Sequence, residues 1–146
     1  MRNTPQCIAA TVFAIALSAC VNTPVSRSSS LYERLGGKPA IKAVIDDFVA
    51  NVAADARING QFAQTDIARL KRLLVEQVCA ASGGPCQYTG RDMKSAHAHL
   101  KITAADFNAL VEDLTRTLDK FKVPDQEKGE LMSLLGPMQR DIVTVN

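Results

Sequence analysis

The two histidines of this chain lie close together in "RDMKSAHAHLKI", residues 91–102, as His97 and His99. Positions i and i+2 point to different sides of a helix, so the pair does not make one shared chelating face. Neither has a Glu-x-x-His or Cys-x-x-Cys partner nearby. The stretch therefore suits a centre that asks this segment for a single ligand. Without further information, a lone histidine on a short helix is more often a surface or hydrogen-bonded side chain. A second pair with chemistry of its own is Cys79 and Cys86 in "VCAASGGPCQY". A gap of seven is not the usual zinc-knuckle spacing. The Gly83-Gly84-Pro85 turn can bring the two sulfurs together as a disulfide if the chain is exported. The alternative is two separate small buried residues.

The elements that must position these residues read as helices. At 146 residues the chain is long enough for one core and short of room for two domains. Aromatics make up 5% and tryptophan is absent, so the core falls to Leu, Ile, Val, Ala and Met. A net charge of +2 with no dense basic block argues against nucleic acid as a partner. "LYERLGG" predicts a short first helix closed by Gly36 and Gly37. "PAIKAVIDDFVANVAAD" follows, with Ile41, Val44, Ile45, Phe48 and Val52 on one broad face. Asp66 is placed to cap a third helix with Leu70, Leu74 and Val78 every four residues, widened by Ile67 and Leu73. "SGGPCQYTG" is a loop by composition, and "RDMKSAHAHL" has room for two or three turns. Thr103 and Asp106 form a capping pair opening "FNALVEDLTRTLDKF", with Phe107, Leu110, Val111, Leu114, Leu118 and Phe121 inside. A last helix from Asp125 carries Leu131, Leu134, Leu135, Met138 and Ile142, bent at Pro137. The expected fold class is all-α.

The first thirty residues stand apart. "MRNTPQCIAATVFAIALSAC" has one early charge, Arg2, then an apolar run from Cys7 to Leu17. That run is shorter than the roughly 20 residues of a membrane span. Its end, "LSAC", resembles the bacterial lipobox, which implies a signal peptide over 1–19 and acylation of Cys20. Ordinary secretion is the alternative. Val21, rather than an aspartate, suggests anchoring in the outer membrane with the domain facing the periplasm. Residues 20–30 read as a polar, Ser-rich tether, and 31–146 as the domain.

His97 lies one turn after Met93, between a glycine-rich loop and a long apolar helix. Iron in a porphyrin needs only one imidazole from the protein, and the surrounding helices have apolar faces enough to sandwich a flat macrocycle. "LYERLGG", "AIKAVIDDFVANVAAD", "GGPCQYTGRDMKSAH" and "ITAADF", in that order, resemble the group I truncated haemoglobins. The likeness runs from Leu31 to Val143, and its most specific part is Tyr88 to His97. It implies a two-over-two helical sandwich around haem, with His97 as proximal iron ligand and the paired glycines marking turns. With no C-x-x-C-H motif, haem b is expected to be held non-covalently. The residues expected around it are Phe48, Val49, Phe62, Leu70, Leu74, Met93, Ile102, Phe107 and Leu114. His99 would fall just past the short helix, solvated, with a propionate contact as the alternative.

The distal side departs from the pattern. Oxygen-binding members have a tyrosine directly after the phenylalanine of the second helix, and often a glutamine on the third. Here the pair is Phe48-Val49, and Leu70 and Leu74 hold the distal positions. Gln77, close to one turn beyond Leu74, is the nearest polar residue. A hydrogen bond to a charged group is worth roughly 1.5–3 kcal/mol, and dioxygen on ferrous iron gains partial negative charge. Without a donor, oxygen should leave faster, while carbon monoxide and nitric oxide lose less. The expected function is reversible binding of a diatomic gas, and nitric oxide dioxygenation, which depends on retained oxygen, is disfavoured. Alternatives are a haem protein for redox, nitric oxide handling or sensing with a separate redox partner, and a non-haem envelope lipoprotein serving as an interaction module.

Overall fold

The computed structural model describes residues 29–145. The expectations for the signal peptide, Cys20 and most of the tether lie outside these residues. The described residues form seven α-helices and two 3-10 turns, with no strand among them. Helix α1 (Leu31–Arg34) opens on a reciprocal cap: the Ser30 hydroxyl accepts from the Glu33 amide and the Glu33 carboxylate accepts from the Ser30 amide. The chain then turns through Gly36, whose φ of +87° favours glycine. Helix α2 (Gly37–Ala54) buries Ile41, Ile45, Phe48, Val49 and Val52. A 3-10 turn (Asn59–Phe62) leads to α3 (Ile67–Ala81), capped by the Asp66 carboxylate on the Arg69 amide at 3.0 Å.

Five residues make up α4 (Met93–His97), started by Asp92 accepting from the Ser95 amide at 2.8 Å. Helix α5 (Ala104–Lys120) carries the Thr103–Asp106 capping box. Helix α6 (Asp125–Leu135) follows. Proline at 137 has no amide hydrogen to continue the ladder, so a 3-10 turn (Gly136–Met138) takes over before α7 (Gln139–Ile142).

Helix α2 is the centre of the packing and lies against both α3 and α5. The main cluster draws Phe48, Val49 and Val52 from α2, Val75 and Val78 from α3, and Leu114 and Leu118 from α5. Arg34 ties α1 to α6 through Glu127 at 3.0 Å and through Glu130. Helix α4 packs on α7.

Three residues expected inside are exposed: Ile67, Phe121 and Leu134. Ile67 is the first residue of α3 and Phe121 the C-cap of α5, where chain direction changes and no neighbour covers them. Leu134 lines an open groove on α6 with Leu31 and Ala81, which leaves it partly uncovered. Conversely, α5 fully buries Asp113 and Thr117. Thr117 accepts from the Asn51 amide at 2.8 Å. Asp113 has Arg116 Nη1 3.0 Å from Oδ1, yet neither oxygen has a partner aligned for a hydrogen bond. Burial, then the nearby Asp55 carboxylate, pushes its pKa up against the pull of Arg116.

Candidate functional site

A five-residue helix has too few turns to hold itself, so α4 depends on what surrounds it. The Tyr-Thr-Gly sequence before it supplies much of that support. Thr89 donates to the Glu76 carboxylate of α3 through its amide at 3.1 Å and its hydroxyl at 2.7 Å. Glu76 also accepts from Arg72 at 2.6 Å. These bonds, the Thr89 hydroxyl foremost, hold the Glu76 carboxyl below its usual range. The Tyr88 hydroxyl donates to the Arg91 carbonyl at 2.8 Å, directly ahead of α4. Burial, then the Glu76 carboxylate, pushes the Tyr88 phenol up, which keeps it a donor. Gly90 is required by close approach: a Cβ there would lie 2.2 Å from the Tyr88 oxygen and 2.4 Å from its ring. Further back, fully buried Cys79 at the end of α3 is joined to Cys86 in a disulfide, with Cα atoms 5.7 Å apart.

His97 is partly buried on α4, and its Nδ1 lies 2.6 Å from the Met93 carbonyl oxygen. A carbonyl can only accept, so Nδ1 carries a proton, and in the neutral imidazole the lone pair is then on Nε2. His99 is exposed. Gln77 of α3 reaches towards α4, its amide nitrogen 3.5 Å from Met93 Sδ and 3.2 Å from Met138 Sδ.

A cavity of about 360 Å³ opens between α3 and α4, walled by Leu70, Leu73, Tyr88 and Ala96, with Arg69 and Arg91 among its lining residues. His97, the residue after Ala96, is not part of this wall. Of the other residues expected at the site, Phe48, Val49 and Leu114 are buried in the main cluster, and Phe62 and Leu74 pack against it. Met93 is partly buried on α4. Ile102 and Phe107 are buried outside that cluster. There the C-terminal segment closes over the chain: the Ile102 amide donates to the Thr144 hydroxyl at 3.0 Å. The Thr144 and Val145 amides donate to the Ile102 carbonyl at 2.9 and 3.1 Å.

Sequence reasoning did not foresee Arg69 and Arg91 in the cavity, although each stands next to a residue that was singled out or opens the short helix. It also left Gln77 on the distal side, where the structure turns it towards Met93. The donor set fits an iron porphyrin. One imidazole can present Nε2, an apolar cavity opens beside the helix that carries it, and two guanidinium groups lining that cavity could meet carboxylates at the edge of a macrocycle.

Comparison with solved structures defines the class first. The fold superposes on the truncated haemoglobin of Tetrahymena pyriformis with a TM-score of 0.76 at 30% identity, covering 79% of this chain and 98% of that one. It superposes on the 2/2 haemoglobin of Synechococcus sp. PCC 7002 with a TM-score of 0.75 at 32% identity, over 79% and 98% of the two chains. Residues 30–144 match the family model of bacterial-like globins. A group 1 truncated haemoglobin of Mycolicibacterium paratuberculosis is 35% identical over 116 residues, 80% of this chain and 85% of the relative. The chain belongs to the bacterial-like globins, among the group 1 truncated haemoglobins. It is thus a haem protein that binds a diatomic gas.

Proposed function

We propose that His97 is the proximal ligand, through Nε2, and that this globin binds diatomic gas reversibly while releasing oxygen quickly. The observation that carries the reading is the 2.6 Å contact of His97 Nδ1 with the Met93 carbonyl. It fixes the tautomer, leaves Nε2 as the coordinating atom and makes the imidazole a better electron donor. Haem, when bound, supplies an iron on which a diatomic gas can be held. The chain's own residues set the terms. Val49 is buried and, with Leu70 and Leu74, offers no hydrogen-bond donor on the distal side. Such a wall excludes water and leaves the partial charge of oxygen without a partner. Arg69 and Arg91, both lining the cavity, would pair with the propionates of a bound haem and orient it.

The lipobox-like "LSAC" supports anchoring through Cys20 in the outer membrane, with the globin domain on the periplasmic side. Cys20→Ser should abolish lipid labelling and release the protein from the membrane pellet.

Haem ligation is tested by expression with haem supply. The protein should show a Soret band, His97→Ala should lose the haem or change its spectrum strongly, and His99→Ala should keep it. The opposite pattern would overturn the assignment of His97.

A further inference from the structure

Gln77, close to one turn beyond Leu74, is the polar residue that helical phase puts nearest the distal positions. Its amide nitrogen is otherwise engaged, 3.5 Å from Met93 Sδ and 3.2 Å from Met138 Sδ. A thioether is a weak acceptor, so these contacts matter for where they place the side chains. Met93 is the residue whose carbonyl holds His97 Nδ1. Met138 belongs to the 3-10 turn that Pro137 forces after α6. One amide on α3 therefore bridges the first residue of α4 to the C-terminal segment that packs on it.

Resting on the haem reading above, we infer that Gln77 is a positioning residue of the proximal side. It seats Met93 between α3 and the Gly136–Met138 turn, and so fixes the direction of the carbonyl to which the His97 Nδ1 proton is given. Loss of that seat lets α4 rotate on its few turns. The imidazole then meets iron in a spread of orientations and with a weaker Nδ1–H bond. The same contacts make Met138, far along the chain, part of this support.

The test uses the haem-loaded full chain and Gln77→Met, which keeps length and removes both donors. In the ferrous protein, the iron–histidine stretching band in resonance Raman should shift or broaden, and haem transfer to excess apomyoglobin should speed up by about tenfold. The C–O stretch of the carbon monoxide complex, which reports distal polarity, should stay where it is. Met138→Leu should move the iron–histidine band in the same direction, and the double variant should add little to either single one. It carries the same test should Gln77→Met fail to fold. A moved C–O stretch with an unmoved iron–histidine band would make Gln77 a distal donor and overturn the inference. An unmoved iron–histidine band in both variants would overturn it too. Absence of any Soret band in the wild type would instead bring down the haem reading itself.

Discussion

Helices α3 and α4 face each other across the cavity and are stabilised in opposite ways. Helix α3 has fifteen residues, a side-chain N-cap and three residues buried in the core, so packing against α2 holds it. Helix α4 has five residues and buries none. It is held by ties to its flanks: Glu76 to Thr89, Tyr88 to the Arg91 carbonyl, Gln77 to Met93, and the disulfide upstream. The distal wall is thus part of the core, while the element carrying the proposed ligand is an attachment to it. Changes in α3 packing should affect the whole molecule, and changes in the ties of α4 should appear first in haem retention.

The largest break in that comparison should come from the disulfide. Closing so short a loop is worth about 2–3 kcal/mol in the chain-entropy model. Cys79→Ala with Cys86→Ser should lower the unfolding free energy by that order in denaturant titration, and should speed haem loss. Mass measurement after alkylation, with and without reductant, checks the bond in protein purified without reductant. Gly90→Val comes next. Its side chain drives the Tyr88 ring away and breaks the bond to the Arg91 carbonyl, at a cost of about 1–3 kcal/mol. Haem transfer should accelerate while far-ultraviolet helix content holds.

Val49→Tyr sharpens the other side. A hydroxyl in the distal wall should slow oxygen dissociation about tenfold, equal to about 1.4 kcal/mol, as read by stopped flow. Tight oxygen binding in the wild type with no change in the variant would show another donor.

The smallest effect is expected at Glu76. Its folded pKa lies below the unfolded one, so its contribution is complete above the ordinary glutamate value of about 4.3 and fades as pH falls through the folded value. Glu76→Gln should weaken haem retention at neutral pH, and the gap from wild type should narrow below the ordinary glutamate range and close once pH has fallen past the folded value. The comparison with the variant is needed because Asp92 and Asp106 are also held low, by Ser95 and Thr103 respectively.

What could be read from the sequence was local. The caps at Asp66 and Thr103–Asp106 and the break at Pro137 each depend on residues within a turn of one another, and all three appear in the structure. The order of helices was legible for the same reason. What periodicity missed was set by distant partners. Phe121 and Leu134 fit an apolar face but stay exposed, while Asp113 and Thr117 are polar and yet lie on the side of α5 that faces α2. At the site, the proposal of His97 comes from the resemblance carried by "YTG-x-x-M-x-x-x-H", whose spacing is local. Gln77 was placed on the distal side because helical phase locates a residue and not the neighbour its side chain chooses; Met138, sixty-one residues on, made that choice.

The bonds between Ile102 and residues 144–145 also give the site an order in time. A polypeptide leaves the ribosome or a translocation channel from its N-terminus, so α3, the disulfide loop and α4 are all available before the segment that fastens them. Until residue 145 has emerged, His97 sits on a turn whose far side is open. Haem met at that stage would find α3 in place, and α4 without the clasp that closes behind it.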